Sequence, residues 1–238
     1  MLKGKVALVT GGGRGIGASI AVLLATNGAH VYICSRSGQQ LDETGKLVEK
    51  SGGNVEKIIC DLQSENEIVS MFKTVERNHG RLDVLVNAAG EFKHGKMELM
   101  STTEFRQAID INCTATFICC REAFPLMKQN GGSIVNISSL SGIRGAEKFP
   151  GFGPYIVSKH GVVGITEALA VEWKNHGIRV NCIAPGAVDT AMLQDAAPNL
   201  YPRLSPEQVA ETVLYFASSM SSGVNGSVLE MYSHLQQQ

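Results

Sequence analysis

Thr10 to Gly17 reads TGGGRGIG, set between an apolar β-rich run, KVALVT (5–10), and a helical pattern that reaches about Asn27. Few arrangements satisfy a strand, a glycine turn and a helix in that order. Small residues let the chain reverse tightly and let its backbone approach a ligand closely. The helix start then offers free N–H groups and the positive end of its dipole, which suits a pyrophosphate. A glycine pattern in a loose loop would say little. After the first strand of a βαβ unit it predicts a dinucleotide site, with Gly11, Arg14, Gly15, Ile16 and Gly17 as its candidates.

The rest of the chain repeats the strand–helix alternation. Apolar runs at 30–35, 55–60, 82–87, 132–138, 178–183 and 227–232 read as strands. Helical patterns lie between them at about 39–51, 64–78, 102–129 and 154–176, with another near 205–219 after an irregular segment, 184–204. Pro185, Pro198 and Pro202, with Pro206 just beyond, mark that segment. Ser64 with Glu67 predicts a capping box. Strands apolar on both faces and alternating with helices predict one α/β domain over 1–238, a Rossmann-type doubly wound parallel sheet of about seven strands with helices on both faces.

Bulk properties narrow the function. A net charge of −1 gives no global attraction to nucleic acid or anionic membrane. The apolar start is too short for a signal peptide, and no run approaches the roughly 20 residues of a membrane span. Six cysteines without a C-x-x-C pair read as buried small hydrophobes in a reducing cytoplasm, and no metal site is expected.

The second strand ends Cys34-Ser35-Arg36, where a carboxylate would accept from both ribose hydroxyls. Arg36, with Arg14 in the glycine turn, instead suits a 2′-phosphate, so the expected cofactor is NADP(H) in preference to NAD(H). Tyr155 and Lys159 stand four apart, on one face of a helix. An ammonium beside a phenol favours the phenolate, so the pair predicts a tyrosine whose pKa falls below its usual ~10. Such a phenol exchanges a proton with a carbonyl or alcohol oxygen, and Ser139 could hold the same oxygen. Chance places such a pair in roughly a quarter of chains of this composition, as a half-exposed Tyr beside a solvated Lys, so its meaning depends on its surroundings.

Taken together, Thr10-Gly11-x-x-x-Gly15-x-Gly17, Asp61-Leu62, Asn87-Ala88-Ala89-Gly90, Asn112, Ser139, Tyr155-x-x-x-Lys159 and Pro185-Gly186 with Thr190 resemble the short-chain dehydrogenase/reductase family almost end to end. Within it the chain is similar to the 3-oxoacyl-[acyl-carrier-protein] reductase and carbonyl-reductase branch. The resemblance implies Tyr155 as general acid/base and Ser139 as the holder of the substrate oxygen. Lys159 would tune the tyrosine and bind the nicotinamide ribose, and Asn112 would hold a water for proton relay. Asp61 and Leu62 would flank the adenine, Asn87, Ala88, Ala89 and Gly90 the cofactor's ribose side, and Pro185, Gly186, Val188 and Thr190 the nicotinamide. It also implies a homotetramer or homodimer paired through the helices near 102–129 and 154–176.

Three features depart from the family pattern. Ser139 and Tyr155 are 16 residues apart, a few more than usual, which leaves an extra loop from Ile143 to Pro154 expected to border the substrate. The 191–204 segment is shorter than the usual lid. The tail SVLEMYSHLQQQ lacks the usual Asp-Gly-Gly. An acyl-carrier substrate would call for a basic surface, but Lys128, Arg144, Lys148, Lys174 and Arg203 are scattered among acids. A small ketone, a sugar or a steroid-like alcohol is equally open. The alternatives to a ketone/secondary-alcohol oxidoreductase are a catalytically idle NADP-binding subunit and a sugar-nucleotide epimerase or dehydratase. The short stretch after 184 leaves little room for the last.

Overall fold

The structure is a computed structural model that describes residues 1–197, 200–202 and 204–232. Seven parallel strands form one sheet in the order β3-β2-β1-β4-β5-β6-β7. They are β1 (Val6–Thr10), β2 (His30–Ser35), β3 (Asn54–Ile59), β4 (Val84–Asn87), β5 (Gly132–Ile137), β6 (Ile178–Pro185) and β7 (Val228–Met231). The helices are α1 (Gly15–Thr26), α2 (Gly38–Lys50), α3 (Glu65–His79), α4 (Thr102–Ile109), α5 (Ala115–Met127), α6 (Gly153–Glu172), α7 (Ala191–Ala196) and α8 (Pro206–Ala217). The doubly wound fold expected from the alternation is the fold observed.

Alternate residues of each central strand enter opposite cores, which is why β1 is buried at every position. Leu8, Tyr32, Leu85 and Ile134 pack with Ile68 and Phe72 of α3 and Cys119 and Ala123 of α5. Ala7, Val9, Val31 and Val86 pack with Ile20 and Leu24 of α1 and Val209 and Val213 of α8. Five cysteines are buried and Cys113 is partly buried, all as free thiols. No helix among the described residues is long and apolar enough to cross a membrane.

Two local expectations change. The helix predicted over 102–129 is interrupted: α4 and α5 flank a π-helical turn, Asp110–Thr114, with Asn112 buried at its centre. One inserted residue shifts the helical phase, and such turns concentrate at functional sites. At α3, Ser64 caps the helix by accepting from Glu67 N, but the Glu67 carboxylate accepts from Asp61 N at 2.8 Å instead of closing the box. Full capping boxes stand at Ser101/Glu104 and Ser205/Gln208. Pro198, Arg203 and tail residues 233–238 lie outside the described residues.

The sheet order reverses between β1 and β4, whose ends pair Thr10 with Asn87. Chains leaving neighbouring strands in opposite directions open a crevice at the carboxyl ends, the usual ligand site of such sheets. Here Ala89 N donates to Thr10 Oγ1 at 3.2 Å, so the two loops meet at the crevice floor.

Candidate active site

A cleft of about 1300 Å³ runs along those carboxyl ends. At one end lies the glycine turn. Gly11 takes φ +66° and Gly15 φ +53°, the left-handed region that favours glycine. A Cβ on Gly11 would stand 2.7 Å from Ala89 Cα, and one on Gly17 only 2.2 Å from Gly11 O. The turn therefore closes on itself and on the β4 loop, and α1 points its N-terminus into the cleft. Its N-cap, Arg14, makes no side-chain capping bond, so the first amides of α1 have no side-chain partner there. That bare, glycine-walled cradle at a helix start fits the pyrophosphate of a dinucleotide. Ser35, Arg36, Ser37 and Gln40 line the cleft beyond it. Arg14 and Arg36 are both exposed.

At the other end Ser139 follows β5, and Tyr155 and Lys159 rise from the first turns of α6, which opens with Pro154. Gly142 explains the spacing after Ser139. A Cβ there would meet the Lys159 carbonyl and Ser138 Oγ at 2.6 Å, so only bare backbone lets the β5 loop lie against α6. Ser138 Oγ also donates to Lys159 O at 2.8 Å.

Lys159 is buried and donates from Nζ to Ile137 O at 2.8 Å, with Nζ 5.6 Å from the Tyr155 ring centre. Burial pulls its ammonium down to about 8. Burial also raises Tyr155, partly opposed by a hydrogen bond with Ser139. The sequence reading expected a tyrosine lowered by its lysine. In the structure burial is the larger cause and only the Ser139 hydrogen bond opposes it, so the phenol is a protonated donor across the neutral range.

Asn112 stands behind these groups, outside the cleft lining. Its Oδ1 accepts from Glu91 N at 2.8 Å, and its Nδ2 donates to Glu91 O at 2.9 Å and Ser158 Oγ at 3.1 Å. The π turn thus clamps the start of the loop after β4 to α6. A Cβ on Gly90 would meet Asn112 Oδ1 at 3.1 Å and Lys159 Nζ at 3.4 Å, which is why a glycine precedes Glu91.

Most of the residues singled out from sequence line this single cleft: Gly11, Arg14, Gly15, Ile16, Gly17, Ser35, Arg36, Leu62, Ala88, Ala89, Gly90, Ser139, Tyr155, Lys159, Pro185, Gly186, Val188 and Thr190. Asp61 does not. Its carboxylate accepts from Gln63 N at 3.0 Å and shapes the turn, while Cys60 and Leu62 face the cleft. Asn87 lies beneath the floor, donating to Asn136 Oδ1 at 2.8 Å. Its Oδ1 is the one buried side-chain polar atom without a partner among the described residues. The sequence reading missed Phe92 and His94, which also line the cleft. Aromatic residues soon after the β4 loop were the available signal. A group with metal-ligating chemistry, His30, Glu56 and His79, sits at the far end of the sheet, where Glu56 already bonds His30, Tyr32 and Asn78.

A family model described as short chain dehydrogenase matches residues 5–200. The chain belongs to this family. It is 32% identical to a 3beta-hydroxysteroid dehydrogenase of Mediterraneibacter gnavus, over 94% of this chain and 92% of that one. It is 35% identical to a 3-oxoacyl-[acyl-carrier-protein] reductase of Chlamydia muridarum, over 97% of each. Among solved structures, an actinorhodin polyketide ketoreductase variant with NADPH superposes with a TM-score of 0.90 at 30% identity, covering 98% of both chains. Carveol dehydrogenase from Mycobacterium avium, in complex with NAD, gives 0.89 at 28% identity, covering 97% of this chain and 96% of that one. The chain is thus an oxidoreductase of alcohol and carbonyl groups whose fold takes a nicotinamide cofactor. Because both cofactors occur on the fold, the choice between them falls to local residues.

Proposed function

We propose that the protein is an NADP(H)-dependent oxidoreductase that interconverts a ketone and a secondary alcohol, with Tyr155 as general acid/base. The observation that carries this reading is the meeting of Ser139, Tyr155 and Lys159 in the same cleft as the glycine turn. The nicotinamide, when bound, supplies or accepts the hydride. The chain's own groups handle the oxygen and its proton. In reduction, Ser139 Oγ and Tyr155 Oη donate to the carbonyl oxygen, and the Tyr155 proton passes to that oxygen as it gains charge. The buried Lys159 ammonium stabilises the tyrosinate left behind, and oxidation runs the same path backwards. Asn112 fixes the loop and helix that carry Gly90 and Lys159.

NADP(H) is favoured by Arg14 and Arg36 at the ribose end of the cleft, where no carboxylate at the end of β2 lines it among the described residues. Pairing into a homodimer or homotetramer through α5 and α6 is supported by Phe117, Val157 and Val171, exposed on those helices. A cytoplasmic location accords with six free thiols. The test is Tyr155→Phe, assayed by NADPH consumption over a carbonyl panel and by NADPH titration. Turnover is expected to fall by about 10³-fold or more with cofactor affinity retained. Undiminished turnover in the variant would sink the assignment. NADPH binding without turnover of any carbonyl by the wild type would favour an idle subunit.

A further inference from the structure

The wall beside Tyr155 is built by two segments far apart in sequence, 88–100 after β4 and 143–154 before α6. They interlock. Gly95 N donates to Gly151 O at 3.0 Å. At Gly151, with φ +82°, a Cβ would stand 2.2 Å from His94 Nε2, and at Gly153 one would stand 2.3 Å from Met97 Sδ. Both glycines therefore seat side chains of the first segment against bare backbone. Lys148, itself exposed, donates to Leu140 O at 3.0 Å and Ile143 O at 2.6 Å, so it braces the loop.

On this frame four rings form a chain. Phe149 and Phe152 centres are 5.4 Å apart, Phe152 and Phe92 4.5 Å, and Phe92 and Tyr155 5.2 Å. These are tilted and edge-on contacts that hold aromatic faces in fixed positions, and all four residues line the cleft. The charges there are as telling. Arg14 and Arg36 belong to the glycine turn and the end of β2. The other charged lining residues are Lys159, which is bonded to Ile137, and the acids Glu91, Glu147 and Asp195. Beside the rings an anionic substrate would meet carboxylates, and the lining cations other than the bonded Lys159 are Arg14 and Arg36 at the glycine-turn end.

We infer that the substrate is an uncharged ketone or alcohol whose reacting carbon lies in or beside an apolar ring, and that Phe149 and Phe152 form the face on which that ring packs. This rests on the oxidoreductase reading above. The test uses the full-length protein with NADPH and four ketones: ethyl 4-oxocyclohexanecarboxylate, its free carboxylate, ethyl acetoacetate, and S-ethyl acetothioacetate as the linear thioester. We expect kcat/KM for the ring ester to exceed each of the other three by about tenfold or more. Phe152→Ala should lower the ratio of ring ester to linear ester by about tenfold, and Gly151→Ala, which collides with His94, should lower it too. Gly145→Ala is the control, because that glycine is in the same loop (φ +85°) with open space around its Cβ position. Its ratio should stay at the wild-type value.

A preference for the carboxylate or the thioester, or a Phe152→Ala variant with the wild-type ratio, would overturn the inference while leaving the oxidoreductase reading intact. Should none of the four ketones react, NADPH consumption over the broad carbonyl panel judges that reading separately. Saturation-transfer NMR of the ring ester on the NADPH-loaded chain then judges the wall: a signal lost in Phe152→Ala supports it, and no signal in the wild type refutes it.

Discussion

Lys159 offers a measurement that separates burial from chemistry. An ordinary lysine titrates near 10.5, and desolvation brings this one to about 8. The gap corresponds to about 3 kcal/mol of destabilisation when the ammonium is forced to stay charged in the native state. The sign follows from which state holds the proton. Below pH 8 both the native and unfolded chains hold it, and the penalty is constant and full. Between pH 8 and 10.5 the unfolded chain keeps a proton that the native chain has released, so native stability gains as pH rises. Lys159→Met keeps the length of the side chain and removes the titration. It also removes the bond to Ile137 O, but that loss is nearly independent of pH and only offsets the curve. The neighbouring thiols stay neutral through most of this range, since burial raises Cys113 and pushes Cys182 to about 11. Urea unfolding of the cofactor-free proteins at pH 7 and 10 should therefore show wild-type stability rising by about 2.5 kcal/mol relative to the variant. A flat difference would mean that water reaches the ammonium. A difference of the opposite sign would mean that a negative charge, not desolvation, governs the site.

Two further substitutions test the cofactor end. Arg36→Ala should cut the preference for NADPH over NADH, read as the ratio of kcat/KM values, by about tenfold, and an unchanged ratio would leave the 2′-phosphate without its assigned partner. Gly17→Ala puts a methyl 2.2 Å from Gly11 O, a backbone atom that cannot swing aside. The turn must open, so NADPH affinity measured by calorimetry should fall at least about tenfold and the melting temperature by several degrees. Affinity within twofold of wild type would refute that reading of the turn.

What was legible in sequence was whatever depends on near neighbours along the chain. The strand, turn and helix around Gly11–Gly17 announce themselves because each requires its own residue types in immediate succession. The Tyr155–Lys159 pair is legible because helical spacing alone puts both on one face. Its electrostatics were not, since the direction of the Tyr155 shift depends on how far Ser139, α6 and the loops exclude water from the phenol. The π turn was hidden for a related reason. The apolar spacing over 102–129 reads as one continuous helix, and one extra residue in a turn leaves no trace in it, so Asn112 reads as mid-helix. Its bonds to Glu91 supply the cause: the phase must shift for the amide to reach a loop that comes from β4. The same logic covers the interlocked wall. Gly151 and Gly153 look like ordinary loop glycines until His94 and Met97, more than fifty residues earlier, are seated on them. A lone segment fixes the chemistry of a carbonyl site, whereas the shape of what it accepts is written in pairs of segments that only the folded sheet brings together. That is why the Ile143–Pro154 loop could be located in the sequence while its consequence, a row of rings beside the Tyr155 phenol, could not.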